Sequence, residues 1–251
     1  MKLVVIGGTG LLGSHITTAL LAHGHEAIAA SPDTGVNTLT GEGLAEVLEG
    51  ASAVVDVSNS PSFEAAEVLE FFTTSTRNLL APEATAGVGH HVAISIVGAD
   101  TLPDSGYMRG KVAQEELIEG STVPWTIVRS TQFHEFVVRI ADGATDGDTV
   151  RLPSVGFQPV AVADLAATVA QVAVGEPVNG RVEVAGPERF RFDELVQRVL
   201  TARGDPRRVV ADPDAPYFGA RLAEGSLVPR GEAILGETRI EDWLAQPAGA
   251  R

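Results

Sequence analysis

A chain of 251 residues, 44% hydrophobic and 20% charged, can bury a large core as one α/β domain or as a main domain with a small appendage. Its net charge of −15 works against nucleic-acid and anionic-membrane surfaces, so an anionic ligand has to be held by local backbone groups. Without cysteine there is no disulfide and no thiolate metal site, which fits a reducing compartment, and no run approaches the roughly 18 apolar residues of a membrane span.

Taken in chain order, Lys2 to Ser31 admits two readings, a secretion signal or a buried strand turning through glycines into a helix. The signal reading is weak, because one Lys precedes a short apolar run that glycines interrupt at once. The other reading explains more residues. "KLVVI" is a strand buried on both faces, Gly7, Gly10 and Gly13 follow at three-residue spacing, and "LLGSHITTALLAHG" carries helical periodicity. "HEAIAAS" is a second strand, so the glycines sit in the unit that a dinucleotide-binding fingerprint requires. Glycines let backbone approach a pyrophosphate, and the helix N-terminus offers N–H groups and a positive dipole end. Gly7, Thr9, Gly10, Leu11, Leu12 and Gly13 are the residues of that loop and first turn.

"SAVVDVSNS" reads as a strand that runs into a polar loop, and "FEAAEVLEFFTTSTRNLLAPEATAG" as a long amphipathic helix kinked or split at Pro82. Ser58 and Asn59 follow the third strand, and strand ends face the ligand crevice of such sheets, which makes both candidate cofactor contacts. "HHVAISIVG" is a strand, "YMRGKVAQEELIEG" a helix with charges on one face, and "PWTIVRS" a strand. Alternating strands and helices predict a parallel, doubly wound sheet. Beyond about Phe133 the segments shorten, which predicts a smaller lobe that returns to the sheet at least once.

These segments resemble the short-chain dehydrogenase/reductase superfamily over essentially the whole chain, closest to its extended and atypical, NmrA-like members. The residues that carry the resemblance are Gly7-x-x-Gly10-x-x-Gly13, "TRNLLAPEATAGVGHHVAIS" with Asn78 and Ser95, Tyr107-x-x-x-Lys111, "VPWTIVRSTQF" and "FQPVAVADLA". The resemblance implies a Rossmann-type fold, an NAD(P) cofactor and Tyr107, Lys111 and Ser95 as catalytic residues. It also implies that Arg129 and Ser130 lie on the strand behind the nicotinamide. The chain departs from the pattern in two places: Ser95 and Tyr107 are only 12 positions apart, and Ser130 stands where many relatives have proline.

The chemistry of Tyr107 and Lys111 can also be argued from their spacing and their place after the glycine motif and a strand-end Ser95. Residues four apart on a helix share a face, so the ammonium can lie beside the phenol or a cofactor ribose. A phenol of pKa about 10 is a poor catalyst at neutral pH, and a nearby cation favours phenolate. Tyr107 would then protonate a carbonyl oxygen as hydride arrives, with Ser95 donating a second hydrogen bond. The competing reading is a surface Tyr and Lys.

Elsewhere, His90 and His91 are adjacent on a strand and point to opposite faces, so no metal site is expected. His134 is a helix-surface residue or a substrate contact, Phe133 is core or pocket wall, and Tyr217 lines the substrate side or serves packing. Asp164 reads as a helix cap and Arg207-Arg208 as a solvated turn. The second strand ends in Ser31, Pro32 and Asp33; without an acidic residue at its last position, and with a serine hydroxyl that can donate to phosphate, NADP(H) is preferred, with NAD(H) as the alternative.

The expectation is a single Rossmann-type domain over residues 1–251, with a small C-terminal substrate lobe from about residue 133. It would be an NAD(P)H-dependent, cytoplasmic oxidoreductase acting on a small carbonyl or quinone-like molecule, without metal, flavin, nucleic acid or membrane, as monomer or homodimer. The alternatives are a non-catalytic redox sensor of the NmrA type and a nucleotide-sugar epimerase or dehydratase.

Overall fold

The computed structural model describes residues 1–246. Strands β1 (Lys2–Ile6), β2 (Glu26–Ala30), β3 (Ala53–Asp56), β4 (His90–Ile96) and β5 (Trp125–Ser130) alternate with helices α1 (Leu11–Ala22), α2 (Leu44–Leu48), α3 (Ala65–Ala86) and α4 (Gly106–Glu119). The later chain adds α5 (Val137–Gly143), β6 (Thr145–Asp146), β7 (Thr149–Leu152), β8 (Gly156–Phe157), α6 (Val162–Val174), β9 (Gly180–Ala185) and β10 (Phe190–Arg191). It ends in α7 (Phe192–Ala202), β11 (Arg208–Ala211), β12 (Ile234–Leu235) and α8 (Ile240–Ala245).

Seven strands form one sheet in the order β12-β9-β5-β4-β3-β1-β2, and every pair is parallel. Alternate residues of the strands serve opposite faces. Leu3, Val5, Val55, Val92 and Val128 pack with Ile16 and Leu20 of α1 and Leu165 and Val169 of α6. Val4, Ile6 and Val54 pack with Leu44 and Leu48 of α2 and Leu79 of α3. Both faces are covered, which is why the strands read as unbroken apolar runs. The architecture is the doubly wound, Rossmann-type α/β sheet.

The chain beyond residue 133 is divided between this sheet and a lobe. α6, β9 and β12 complete the sheet layers, whereas β6, β7 and β11 form a small sheet and β8 pairs with β10. Phe157, Phe192, Val196, Leu200, Tyr217 and Trp243 fill the lobe's core.

Pro82 does not split α3, which runs as one helix of 22 residues. The missing N–H is offset by the helix's buried face, where Val68, Phe72, Ser75, Leu79 and Glu83 are held against neighbouring layers. Glu83 is fully buried and its carboxylate meets His91 Nδ1 at 2.9 Å. His90 turns the other way, to Thr126 Oγ1 at 2.8 Å.

Asp164 is not a cap: its carboxylate accepts from the Thr238 N–H and hydroxyl at 2.7 and 2.9 Å. The N-terminus of α6 is met instead by Glu135, which accepts the Val162 N–H at 3.2 Å and Trp243 Nε1–H at 3.1 Å. Arg207 is no solvated turn either, since it pairs with Asp142 and Asp205.

The loop beyond β1 packs backbone on backbone against the first turn of α1 and against β2. A Cβ on Gly13 would sit 2.2 Å from the Gly7 carbonyl oxygen, and one on Gly8 would sit 2.6 Å from Ala29 Cα. Both distances are impossible without moving backbone. Gly13→Ala is therefore expected to cost about 3 kcal/mol or more through overpacking, a fall in Tm of about 6–12 °C for a domain of this size. Thermal unfolding checks this, and an unchanged Tm would remove the close-packing argument.

Candidate active site

Gly7 has φ +79° and turns the chain out of β1, while Gly10 has φ −77°, is exposed, and would meet only the Gly7 oxygen, at 3.2 Å, if given a Cβ. Gly10 is the N-cap of α1 and has no side chain to offer, so Leu11, Leu12 and Gly13 in the first turn have no side-chain cap. No acidic residue stands in that turn. Thr9 is exposed beside Gly10. The crest of the loop is thus a set of backbone donors at a positive dipole end, open to solvent.

β2 and β3 flank β1 in the sheet, so Ser31 and Ser58 follow adjacent carboxyl ends on either side of the loop. Both hydroxyl oxygens are buried and neither meets a protein partner. Two orphaned hydroxyls around an uncapped helix N-terminus fit the polar groups of a dinucleotide. Asp33 is exposed, in a short 3-10 turn at Pro32–Thr34 that is tied back by a 2.9 Å bond from the Ser31 N–H to Thr34 Oγ1.

Tyr107 is the second residue of α4, whose N-cap Ser105 accepts the Met108 N–H. The helix lies tightly on α3, because a Cβ on Gly106 would be 2.4 Å from Ala65 Cβ and one on Gly110 2.7 Å from Val68 Cγ1. This contact brings the Tyr107 hydroxyl to Asn59, beyond the end of β3, where it donates to Oδ1 at 2.7 Å. Burial pushes the phenol up to about 12, against a smaller lowering by that hydrogen bond. Phe63, Phe72 and Phe218 surround the ring at centroid distances of 5.9, 6.0 and 6.1 Å.

Lys111 and the phenol share no hydrogen bond. It is buried, donates to Gln114 Oε1, and lies 4.4 Å from the centroid of Phe72, whose ring also meets Tyr107. Gln114 Nε2 donates to Asp56 Oδ2 at 2.9 Å, and Asp56 Oδ1 accepts the Ser58 N–H at 2.9 Å. The ammonium therefore acts on the loop that carries Ser58 and Asn59 through two carriers. Burial lowers Lys111 to about 8, partly opposed by the charges of Asp56 and Glu115.

Ser95 pairs in register with Arg129 on β5, and its hydroxyl is buried without a hydrogen-bond partner. Arg129 is engaged with Glu115 through two bonds, at 3.0 and 2.6 Å, and Arg181 adds a third at 3.1 Å. Those arginine hydrogen bonds hold the Glu115 carboxyl below its ordinary range despite burial. Arg129, Arg181 and Glu115 form an ion cluster that joins α4 to β5 and β9. The structure does not bring Ser95 or Arg129 to Tyr107. Ser130 is buried at the end of β5.

The expected substrate residues separate. Phe133 stacks on Phe136 at 5.2 Å and packs on the α1–α6 side of the sheet. His134 is not on a helix surface: it is 1% exposed beside Trp243, and burial lowers it to about 4, so it is neutral. Tyr217 is buried, and its unpartnered hydroxyl is pushed upward by desolvation. Its neighbour Phe218 reaches Tyr107. Phe63, Asp56 and Gln114 were missed in the sequence, although Asp56 closes an apolar strand and Gln114 shares a helix face with Lys111.

Residues 7–174 match the profile of a family described as NAD(P)H-binding. A reductase of Streptomyces griseus that acts on (4-alkanoyl-5-oxo-2,5-dihydrofuran-3-yl)methyl phosphate is 28% identical, over 99% of this chain and 88% of its own length. Among solved structures, a dTDP-glucose 4,6-dehydratase from Streptomyces venezuelae with NAD bound has a TM-score of 0.70, with 20% identity, 92% of this chain and 93% of that chain covered. An NADPH-dependent quinone oxidoreductase from Escherichia coli, complexed with NADPH, has a TM-score of 0.65, with 20% identity and coverage of 84% and 77%. The two structures share the fold.

A bulky side chain at Gly10 would fill the crest without touching the core. Gly10→Val is expected to abolish cofactor binding in calorimetry while Tm stays within a few degrees of the parent; retained affinity in a folded variant would take the loop out of the site. The open crest, the flanking hydroxyls and the match over residues 7–174 lead to one assignment, that the chain belongs to the NAD(P)H-binding family.

Proposed function

We propose that the protein is an NAD(P)H-dependent reductase that moves hydride to a small carbonyl or quinone-like substrate, with Tyr107 as proton donor. The observation that carries this reading is the Tyr107–Asn59 hydrogen bond, which holds an ionisable hydroxyl at the carboxyl edge of the sheet, the edge over which the glycine loop opens. The reductase of Streptomyces griseus supports the reaction class. Bound NAD(P)H supplies the hydride.

The chain's own residues do the rest. Leu11, Leu12 and Gly13 present backbone N–H groups to the pyrophosphate, and Ser31 and Ser58 offer their hydroxyls along the strand ends. With its pKa at about 12, Tyr107 is fully protonated at neutral pH. A substrate oxygen that displaces Asn59 Oδ1 accepts this proton as hydride reaches the carbonyl carbon; the O–H bond of the phenol breaks, and solvent returns the proton afterwards. The residual phenolate needs a cation, and the Lys111 ammonium behind Phe72 is the buried positive charge on the same helix.

Ser31 carries an unpartnered hydroxyl where the adenosine ribose would lie, and Asp33 is turned to solvent, which supports NADP(H) over NAD(H). The absence of cysteine supports a cytoplasmic location. A second reading, a non-catalytic redox sensor of the NmrA type, draws support from Phe63 and Phe218, whose rings meet at 5.8 Å over Tyr107 and cover it. An epimerase or dehydratase of nucleotide sugars has less support. The open cleft lined by Arg129, Arg181 and Arg230 offers those cations to Glu115, Glu119 and Asp100 already.

Three outcomes check the proposal. NADPH is expected to bind more tightly than NADH in calorimetry; equal or tighter NADH binding would make Asp33 the determinant. Tyr107→Phe is expected to lower turnover by about 10²–10⁴-fold with cofactor affinity nearly unchanged, and a near wild-type rate with chemistry as the slow step would end the role of Tyr107.

The pH profile separates the two ionisable groups. A protonated Lys111 is lost as pH rises through about 8, well before the phenol at about 12, so the basic limb of the rate profile is expected near pH 8. Lys111→Met should slow turnover and move that limb upward. A limb that stays in place in Lys111→Met would assign it to another group.

A further inference from the structure

Phe63 and Phe218 are exposed aromatic residues, at 58% and 43%, on loops far apart in sequence, and no apolar core explains either. Phe63 belongs to the segment between β3 and α3, and Phe218 to the small lobe. Their rings lie 5.8 Å apart, and each is about 6 Å from Tyr107. The Phe63–Tyr107, Phe63–Phe218 and Tyr107–Phe218 planes are tilted by 36°, 30° and 31°, so three ring faces stand closer to parallel than to perpendicular. Two further rings back them edge-on: Phe72 against Tyr107 at 83° and Tyr217 against Phe218 at 88°.

The backbone at Phe218 is strained to put its ring there. Tyr217 and Ala220 exchange both backbone hydrogen bonds, at 2.8 and 3.0 Å, around Phe218 and Gly219 with φ +45° and +84°. Such a two-residue turn selects Asn, Asp or Gly at its first central position, because a Cβ is disfavoured at positive φ. A bulky phenyl in that position, left nearly half exposed, recovers little by burial, and local strain of this kind collects at ligand clamps. Among the described residues the cation–ring contacts fall on Phe72, Phe136 and Trp243, so the faces of Phe63, Tyr107 and Phe218 are not occupied by protein cations.

We propose that Phe63 and Phe218 are the specificity-determining walls of the substrate mouth, and that the substrate is a flat, conjugated, uncharged carbonyl compound whose ring replaces the Phe63–Phe218 contact. The proposal rests on the reductase reading and narrows its substrate class from carbonyl compounds in general to those with an aromatic or quinonoid plane. Insertion between the two rings brings the carbonyl oxygen to the Tyr107 hydroxyl. The mouth supplies stacking faces, while the chain's net charge of −15 offers an anion no general attraction.

The test uses the full chain saturated with NADP+ and two probes, 1,4-naphthoquinone and the non-aromatic cyclohexanone, with binding read by calorimetry and turnover by NADPH oxidation. Phe63→Leu and Phe218→Leu are each expected to weaken naphthoquinone binding, and to raise its KM, by about 3- to 10-fold, with NADP+ affinity unchanged. Phe218→Asn suits the turn, so it should weaken naphthoquinone equally while leaving Tm unchanged or higher. A fall in Tm for Phe218→Asn, absence of naphthoquinone binding, or unchanged affinity in the folded variants would overturn the mouth. Ring-dependent naphthoquinone binding without NADPH oxidation would uphold the mouth and overturn the reductase reading. Oxidation that favours cyclohexanone and ignores both phenyls would do the reverse.

Discussion

The geometry of this protein depends on backbones that touch where no Cβ fits. Gly13 of α1 rests on the Gly7 carbonyl and Gly8 on Ala29 of β2, which seats the first turn of α1 on the loop just beyond the carboxyl end of β1. The same device recurs on the other face, where Gly106 and Gly110 let α4 settle on Ala65 and Val68 of α3. The first contact leaves the N-terminus of α1 uncapped at the crest of the loop, and the second fixes how closely the helix bearing Tyr107 lies on α3. Both are steric facts first, and their chemical use follows from where they place free N–H groups and a phenol.

α4 is held from below by charge. On a single helix face Lys111 and Gln114 lead to Asp56, and Glu115 gathers Arg129 and Arg181. Burying such groups is tolerable only because each finds partners, and the arrangement ties the helix to the ends of β3, β5 and β9. Asp56 also accepts the Ser58 N–H, so the polar loop beyond β3 is registered to the same helix that carries Tyr107. The charge balance inside the layer thus ties Tyr107's helix to the loop that carries Ser58 and Asn59.

Above Tyr107 the constraint changes from charge to shape. Rings from the β3–α3 segment and from the small lobe converge on a phenol whose ionisation is opposed by burial. The lobe reaches the sheet only because the chain returns to it through α6, β9 and β12, and that return fixes the hairpin turn bearing Phe218 relative to α4.

The sequence by itself determined the doubly wound sheet, since apolar β-branched runs alternating with amphipathic helices leave few other ways to bury both faces. It also determined the glycine loop, because three glycines between a strand and a helix are a local pattern. Local spacing also put Tyr107 and Lys111 on one helix, but only the tertiary structure decided what each meets: Asn59 for the phenol, Gln114 and Phe72 for the ammonium. Pro82 argued for a break in α3, yet packing along its buried face outweighed one lost hydrogen bond. Ser95 was expected to be catalytic and Arg129 to meet the cofactor; Arg129 is engaged with Glu115, a partner fixed by strand register and helix docking. Phe63 and Phe218 lie 155 positions apart and carry no shared pattern, so their meeting was decided wholly by the return of the small lobe to the sheet.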